Sequence, residues 1–229
     1  MIEVKEIRKR YRRRDVLNGV SFTAAKGEIT CLIGTNGAGK STILKAIMGL
    51  TPVSGGTIHI DGKTLIPELY EKISFVPDHL RMPASMKLSE ALRFMADFYD
   101  SWNEKRADEL MKFFRLEHSF KIGSLSKGTA AKFSLVLGLG QDSDYLLLDE
   151  PFSGIDLFSR EAITEVFTSD LIEHRGVLLT THEIGDMEHL IDKAVLLKDG
   201  VVSQSFQCEE MRSEEGKSVI DVMREVYRA

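Results

Sequence analysis

Apolar and polar positions alternate with a period of two in three early stretches: at Ile2 and Val4, at Val20, Phe22 and Ala24, and at Ile58 and Ile60. That period predicts half-buried strands, and Gly27 and the Gly55-Gly56 pair supply turns between them. Ile29–Ile33 is a short, mostly apolar run, the pattern of a strand buried on both faces. A glycine-rich loop follows, then a helix over about 41–48, which Gly49 ends and Pro52 keeps from resuming. Ile73–Val76 reads as a strand stopped at Pro77. From about 85 to 122 the spacing becomes helical, with Leu92, Met95, Ala96 and Tyr99 on one face and Ala107, Leu110, Met111 and Phe114 on another. Ser101 and Glu104 form a capping-box pattern before the second of these helices. Strand and helix then alternate: Tyr145–Asp149 a strand, Leu157–Phe167 a helix, Gly176–Thr181 a strand, 184–190 a short helix and 194–197 a strand. Asp199-Gly200 is a two-residue hairpin signal, and Val219, Val222, Met223 and Val226 give a last apolar helical face. The order of elements predicts an α/β protein with a parallel core, a β-rich N-terminal layer and an inserted helical subdomain.

The 229 residues suffice for one substantial core. No apolar run reaches the roughly 18–20 residues of a membrane span, and the first six residues lack the apolar core of a signal peptide, so the chain is expected neither to span nor to cross a membrane. Cys31 and Cys208 lie far apart and form no metal-spaced cluster; Cys31, within an apolar strand, reads as a small core residue, and the usage fits a reducing, cytoplasmic setting. A net charge of −5 argues against a dedicated nucleic-acid binder, and no nucleic acid is expected as a partner. One stretch is locally basic: Arg8, Lys9, Arg10, Arg12, Arg13 and Arg14 surround Tyr11, either as a solvated turn or as a positive rim near phosphates or lipid headgroups.

Gly34-Thr35-Asn36-Gly37-Ala38-Gly39-Lys40-Ser41 matches the phosphate-binding P-loop. Glycines let backbone N–H groups turn toward phosphate oxygens, and the following helix N-terminus adds partial positive charge. Lys40 can reach the β- and γ-phosphates, Ser41 can place its hydroxyl on Mg²⁺, and Thr42 belongs to the same cradle. Tyr145-Leu146-Leu147-Leu148-Asp149-Glu150 is an apolar strand ending in two acids. Side chains alternate along a strand, but its end releases that alternation, so both acids could face one site. Asp149 would then hold Mg²⁺ through water, and Glu150 would orient or deprotonate an attacking water. His182 follows another apolar strand. His182-Glu183 opens a zinc-protease motif that fails at Asp186, which leaves contact with a γ-phosphate as its functional option.

With these motifs in order, nearly the whole chain resembles the ABC ATPase family. Leu125-Ser126-Lys127-Gly128-Thr129 resembles that family's signature, usually LSGGQ. Ser153-Gly154-Ile155-Asp156 resembles its D-loop, His182 its switch histidine, and Tyr11 its adenine-stacking aromatic residue. The resemblance implies a RecA-like P-loop NTPase core with an antiparallel N-terminal β-subdomain over 1–78 and 130–206, a helical subdomain over about 79–129, and a C-terminal helical extension over about 207–229. It further implies a second ATPase subunit, in a homodimer or heterodimer, whose Ser126 and Gly128 N–H meet the γ-phosphate held by the first subunit's Lys40. An integral membrane subunit would be the other partner, with the ATPase lying on the inner face of the cell membrane. Two departures matter. Asp78 stands where the family usually has Gln, which adds negative charge near the metal, and Lys127 adds a positive charge to the signature. Both are similar to the branch of antibiotic-type and other small exporters. Two alternatives remain: a soluble relative acting on DNA or ribosomes, and a low-turnover regulator. The 109 positions from Lys40 to Asp149 leave no room for a long coiled-coil insertion.

Overall fold

A computed structural model describes residues 1–228 apart from Arg13, Glu173 and Glu183; these three, Ala229 and the side chain of Asp186 lie outside what is described. The Arg13 position in the basic run and the Glu183 position after His182 therefore carry no structural statement.

Strands β1 (Ile2–Tyr11) and β2 (Arg14–Ala24) form an antiparallel hairpin. Strand β3 (Ile29–Ile33) feeds the glycine loop, and helix α1 (Lys40–Ile47) leaves it. Strand β4 (Gly55–Ile60) returns to pair with β1, completing a three-stranded antiparallel sheet in the order β2-β1-β4. Strand β5 (Ile73–Val76) leads to helices α2 (Leu88–Phe98) and α3 (Glu104–Phe113), and then to the longer α4 (Lys127–Gly140). The remaining elements are β6 (Tyr145–Asp149), α5 (Leu157–Phe167), β7 (Gly176–Thr181), β8 (Lys193–Lys198), β9 (Val201–Gln207), α6 (Cys208–Glu215) and α7 (Val219–Arg228).

The second sheet runs β5-β6-β7-β3-β8-β9, parallel except for the antiparallel edge strand β9. Its inner strands are apolar on both faces because each face meets a separate core. Leu32, Leu147, Leu178 and Val195 point toward α1 and the antiparallel sheet. Cys31, Ile33, Leu146, Leu148 and Leu179 point toward the helices on the other side. Burial raises both thiols, Cys208 to about 12, as expected of core residues rather than reactive ones.

Two local expectations change. Ser101 does not cap α3: its N–H and hydroxyl both donate to Glu71, and Asn103 takes the N-cap position, accepting from the Arg106 N–H at 2.9 Å. The Asn side chain, placed directly before the helix, reaches the N3 donor. Helix α4 has no counterpart in the periodicity. Its residues from Phe133 to Gly140 are all buried, so no polar face marks the helical period.

Among the described residues no helix is long and apolar enough to cross a membrane. The short helix expected over 184–190 is a 3₁₀ segment, Gly185–Leu190. The Asp199-Gly200 turn has positive φ at both residues, 51° and 77°, as a tight β8–β9 hairpin requires.

Candidate nucleotide-binding site

Register brings the site together. Ile33 of β3 pairs with Thr181 of β7, and Thr180 pairs with Asp149 of β6. The glycine loop, His182 and the two acids therefore emerge side by side at the carboxyl ends of three adjacent parallel strands, where open α/β sheets bind ligands.

Lys40 is almost wholly buried, 4% exposed, and its ammonium has three partners. It donates to the Gly34 carbonyl at 2.6 Å and the Thr35 carbonyl at 3.3 Å, and it pairs with Glu150 Oε1 at 3.0 Å. The other Glu150 oxygen lies 2.8 Å from His182 Nδ1. Glu150 reaches this position with φ of 51°, a left-handed conformation that costs a side-chain-bearing residue about 1–3 kcal/mol. The Glu150 N–H is held by Thr180 Oγ1 at 3.0 Å. This kink turns Glu150 off the alternation of β6, so that both acids face the loop.

Asp149 is 1% exposed. Its Oδ1 accepts from Ser41 at 2.8 Å and from Thr180 at 2.9 Å. Its Oδ2 is buried with no hydrogen-bond partner. A carboxylate oxygen left in that condition costs free energy unless something positive or a donor meets it. Thr180 was not legible as a site residue, because a threonine inside an apolar strand reads as core; only the register with β6 exposes its role as the bracket between the two acids.

The other motif residues lie around this centre. Asp78 ion-pairs with Arg81 at 3.3 Å and lies 3.6 Å from His79 Nε2, and it lines a cavity of about 230 Å³ with Lys127, Ser134, Asp149, Glu150 and Ser153. Asp78 thus shares a cavity with both acids while its own charge is met by neighbours in its loop. Tyr11 ends β1 with its ring 44% exposed, and the Lys9 ammonium sits 4.7 Å from the ring centre. Arg14, on the other strand of that hairpin, extends over the loop: its Nη2 lies 3.9 Å from where a β-carbon on Gly37 would be. The basic hairpin is therefore partly a rim of the phosphate loop.

Ser126 is the N-cap of α4, its Oγ accepting from the Thr129 N–H at 3.2 Å. Asp156 caps α5 in the same way through the Ser159 N–H at 2.9 Å. The two caps touch. A β-carbon on Gly128 would come within 2.4 Å of Ser159 Oγ and 2.7 Å of Asp156 Oδ2, so only glycine lets them pack. The Lys127 ammonium lies against Gly154. Leu125–Thr129 and Ser153–Asp156 thus form one surface built from two helix N-termini, with Ser126 exposed on it.

A strand, a glycine loop and a helix, with two acids at the end of β6, one strand beyond β7, define a P-loop nucleotide-binding protein. A family model described as ABC transporter matches residues 17–153. The Nod factor export ATP-binding protein I of Ralstonia nicotianae is 30% identical over 231 residues, covering 97% of this chain and 72% of that protein. Among solved structures, the ATP binding subunit of an ABC transporter has a TM-score of 0.88 at 31% identity, covering 99% of each chain. A dimeric ATP-binding cassette in a post-hydrolysis state, bound to ADP and Pi, has a TM-score of 0.80 at 25% identity, covering 90% of this chain and 98% of that one. The chain belongs to the ABC transporter family and is an ATPase of its ATP-binding subunit class. These relatives do not favour the alternative of a soluble protein acting on DNA or ribosomes.

Proposed function

We propose that this chain, paired with a second ATP-binding subunit, binds Mg²⁺-ATP between the glycine loop of one protomer and the Ser126 surface of the other. It hydrolyses that ATP to drive a separate membrane-spanning partner, on the inner face of the cell membrane. The observation that carries this reading is the linked set Lys40–Glu150–His182 beside Ser41–Asp149, with Asp149 Oδ2 buried and unmet.

The chemistry follows from the charges. The γ-phosphate of ATP competes with Glu150 for the Lys40 ammonium, and taking it frees Glu150 Oε1 to accept a proton from water. His182, hydrogen-bonded to the other oxygen, holds the carboxylate in place and offers its ring to the phosphate. Backbone N–H groups from Gly34 to Ser41 and the α1 N-terminus receive the β-phosphate, and Tyr11 stacks on the adenine. Mg²⁺ fits the donor set: Ser41 Oγ and the free oxygen of Asp149 are hard oxygen donors that would hold it, and when bound it would neutralise phosphate charge. From the other protomer, Ser126 Oγ and the Gly128 N–H reach the γ-phosphate, while Ser153–Asp156 cross the interface. Losing that phosphate removes charge-assisted contacts and lets the protomers part. The exposed, stacked Phe94 and Phe98 rings on α2, 5.9 Å apart, support a protein-covered face for the membrane partner on the helical side.

Sedimentation with excess ATP and Mg²⁺, on chains unable to hydrolyse, tests the shared site. Ser126→Ala should lower the dimer fraction while leaving ATP affinity of the isolated chain within about twofold, since the serine hydroxyl belongs to the partner's nucleotide. An unchanged dimer fraction would count against the signature surface as the second half of the site. Asp78 is proposed as an additional, water-mediated neighbour of the metal, in keeping with the small-exporter branch. Asp78→Gln removes a negative charge beside the cation and should then raise the Mg²⁺ concentration needed for half-maximal turnover; identical Mg²⁺ titrations for the two proteins would remove Asp78 from the site.

A further inference from the structure

Helix α7 takes no part in the chemistry above, yet its two ends are tied to the 3₁₀ segment after His182 and to the end of β8. At its start the Val219 N–H donates to Glu188 Oε1 at 2.8 Å. Glu188 belongs to the 3₁₀ segment that follows His182. At its end the Lys198 ammonium donates to the Val226 carbonyl at 2.7 Å. Between these ties Val219 and Val222 are buried, and Met223, Val226 and Tyr227 pack against the core. The Tyr227 hydroxyl lies 3.0 Å from the Ile33 carbonyl oxygen and 3.1 Å from that of Leu197. Burial pushes the phenol up to about 12, so it keeps its proton and acts as the donor at physiological pH.

The acceptor matters because of where it sits. The Ile33 carbonyl and the Gly34 N–H are two edges of one planar peptide group. Tyr227 holds the oxygen edge. The Gly34 N–H donates to the Thr181 carbonyl at 3.3 Å, one residue before His182, and so holds the other edge. The next carbonyl along the chain, that of Gly34, accepts from Lys40. A β-carbon at position 34 would come within 2.8 Å of the Leu197 carbonyl oxygen, so the same crowding that requires glycine there brings Leu197 under the hydroxyl.

We propose that Tyr227 is a positioning residue for nucleotide binding: by fixing the Ile33–Gly34 peptide plane at the root of the glycine loop, it sets the direction in which the loop leaves β3 and hence the place of the Lys40 ammonium. The proposal rests on the nucleotide-binding reading above.

The test uses the full chain with Tyr227→Phe, which removes the hydroxyl and keeps the ring. Three quantities are read: affinity for a fluorescent ATP analogue, KM and kcat of steady-state hydrolysis, and the unfolding midpoint without nucleotide. Affinity and KM are expected to worsen about three- to tenfold, the range covered by one net hydrogen bond, with kcat within about twofold. Unchanged affinity and KM, whatever happens to the midpoint, would reduce Tyr227 to a packing residue and overturn the proposal. Lys198→Met, which loosens the same end of α7 without touching the hydroxyl, provides a second reading if the first variant does not fold. It should shift affinity in the same direction, and no shift would also overturn the proposal. If the unmodified chain failed to bind the analogue, the nucleotide-binding reading would fall and take this inference with it; normal binding with unresponsive variants would remove the inference alone.

Discussion

Glu150→Gln should reduce ATP turnover by about 10²–10⁴-fold, the usual contribution of a positioned general base, while ATP binding survives. The amide is close in size to the carboxylate and keeps an oxygen acceptor for the Lys40 ammonium, so the local geometry persists. What disappears is the proton acceptor. Affinity for ATP should stay equal or rise, because the γ-phosphate no longer competes with a full negative charge, 3.0 Å away, for Lys40. With hydrolysis blocked, the variant should accumulate as an ATP-bound dimer, visible as a second species in size-exclusion chromatography with light scattering. Steady-state turnover close to that of the unmodified chain would exclude Glu150 as the base.

Lys40→Ala should act on affinity and on stability together. It deletes the main cation facing the triphosphate, and a charge-assisted hydrogen bond of about 1.5–3 kcal/mol corresponds to roughly 10- to 100-fold weaker ATP binding. It also leaves Glu150, 15% exposed, without its ammonium partner; His182 remains as the second neighbour. A buried charge stripped of its partner is destabilising, so the nucleotide-free variant should melt lower. Adding Glu150→Gln to Lys40→Ala should recover part of that loss, because the stranded charge goes too. Isothermal titration and a double-mutant thermal cycle check the two halves separately. Intact affinity in Lys40→Ala would contradict the phosphate-binding role of the loop.

The centre of the candidate site is legible because its residues are near neighbours in the chain. Eight consecutive residues, Gly34 to Ser41, carry the loop, and two consecutive acids end an apolar strand. Such patterns survive in one dimension because the backbone N–H groups and side chains that act together are near neighbours. The strands that read correctly, β3, β5, β6 and β7, are continuous apolar runs between turn residues. Helix α4 leaves no periodic trace in the sequence for the same physical reason in reverse. Its second half is buried all round, and periodicity reports a helix only when one side meets water. The α3 cap was misassigned because Ser101 and Asn103 are both competent caps; what decides between them is that Glu71, thirty positions earlier, occupies the serine.

The one-dimensional record thus determined the class of fold, the glycine loop proposed to hold phosphate and the two acids of the candidate site. Tertiary structure alone decided the partnerships: Glu150 between Lys40 and His182, Thr180 bracketing both acids, Gly128 closed under the Asp156 cap, and Tyr227 at the root of the loop. Each of these joins residues from separate strands or helices through hydrogen bonds, an ion pair or van der Waals contact. Strand register and helix docking set such distances, and neither leaves a periodic trace in the sequence.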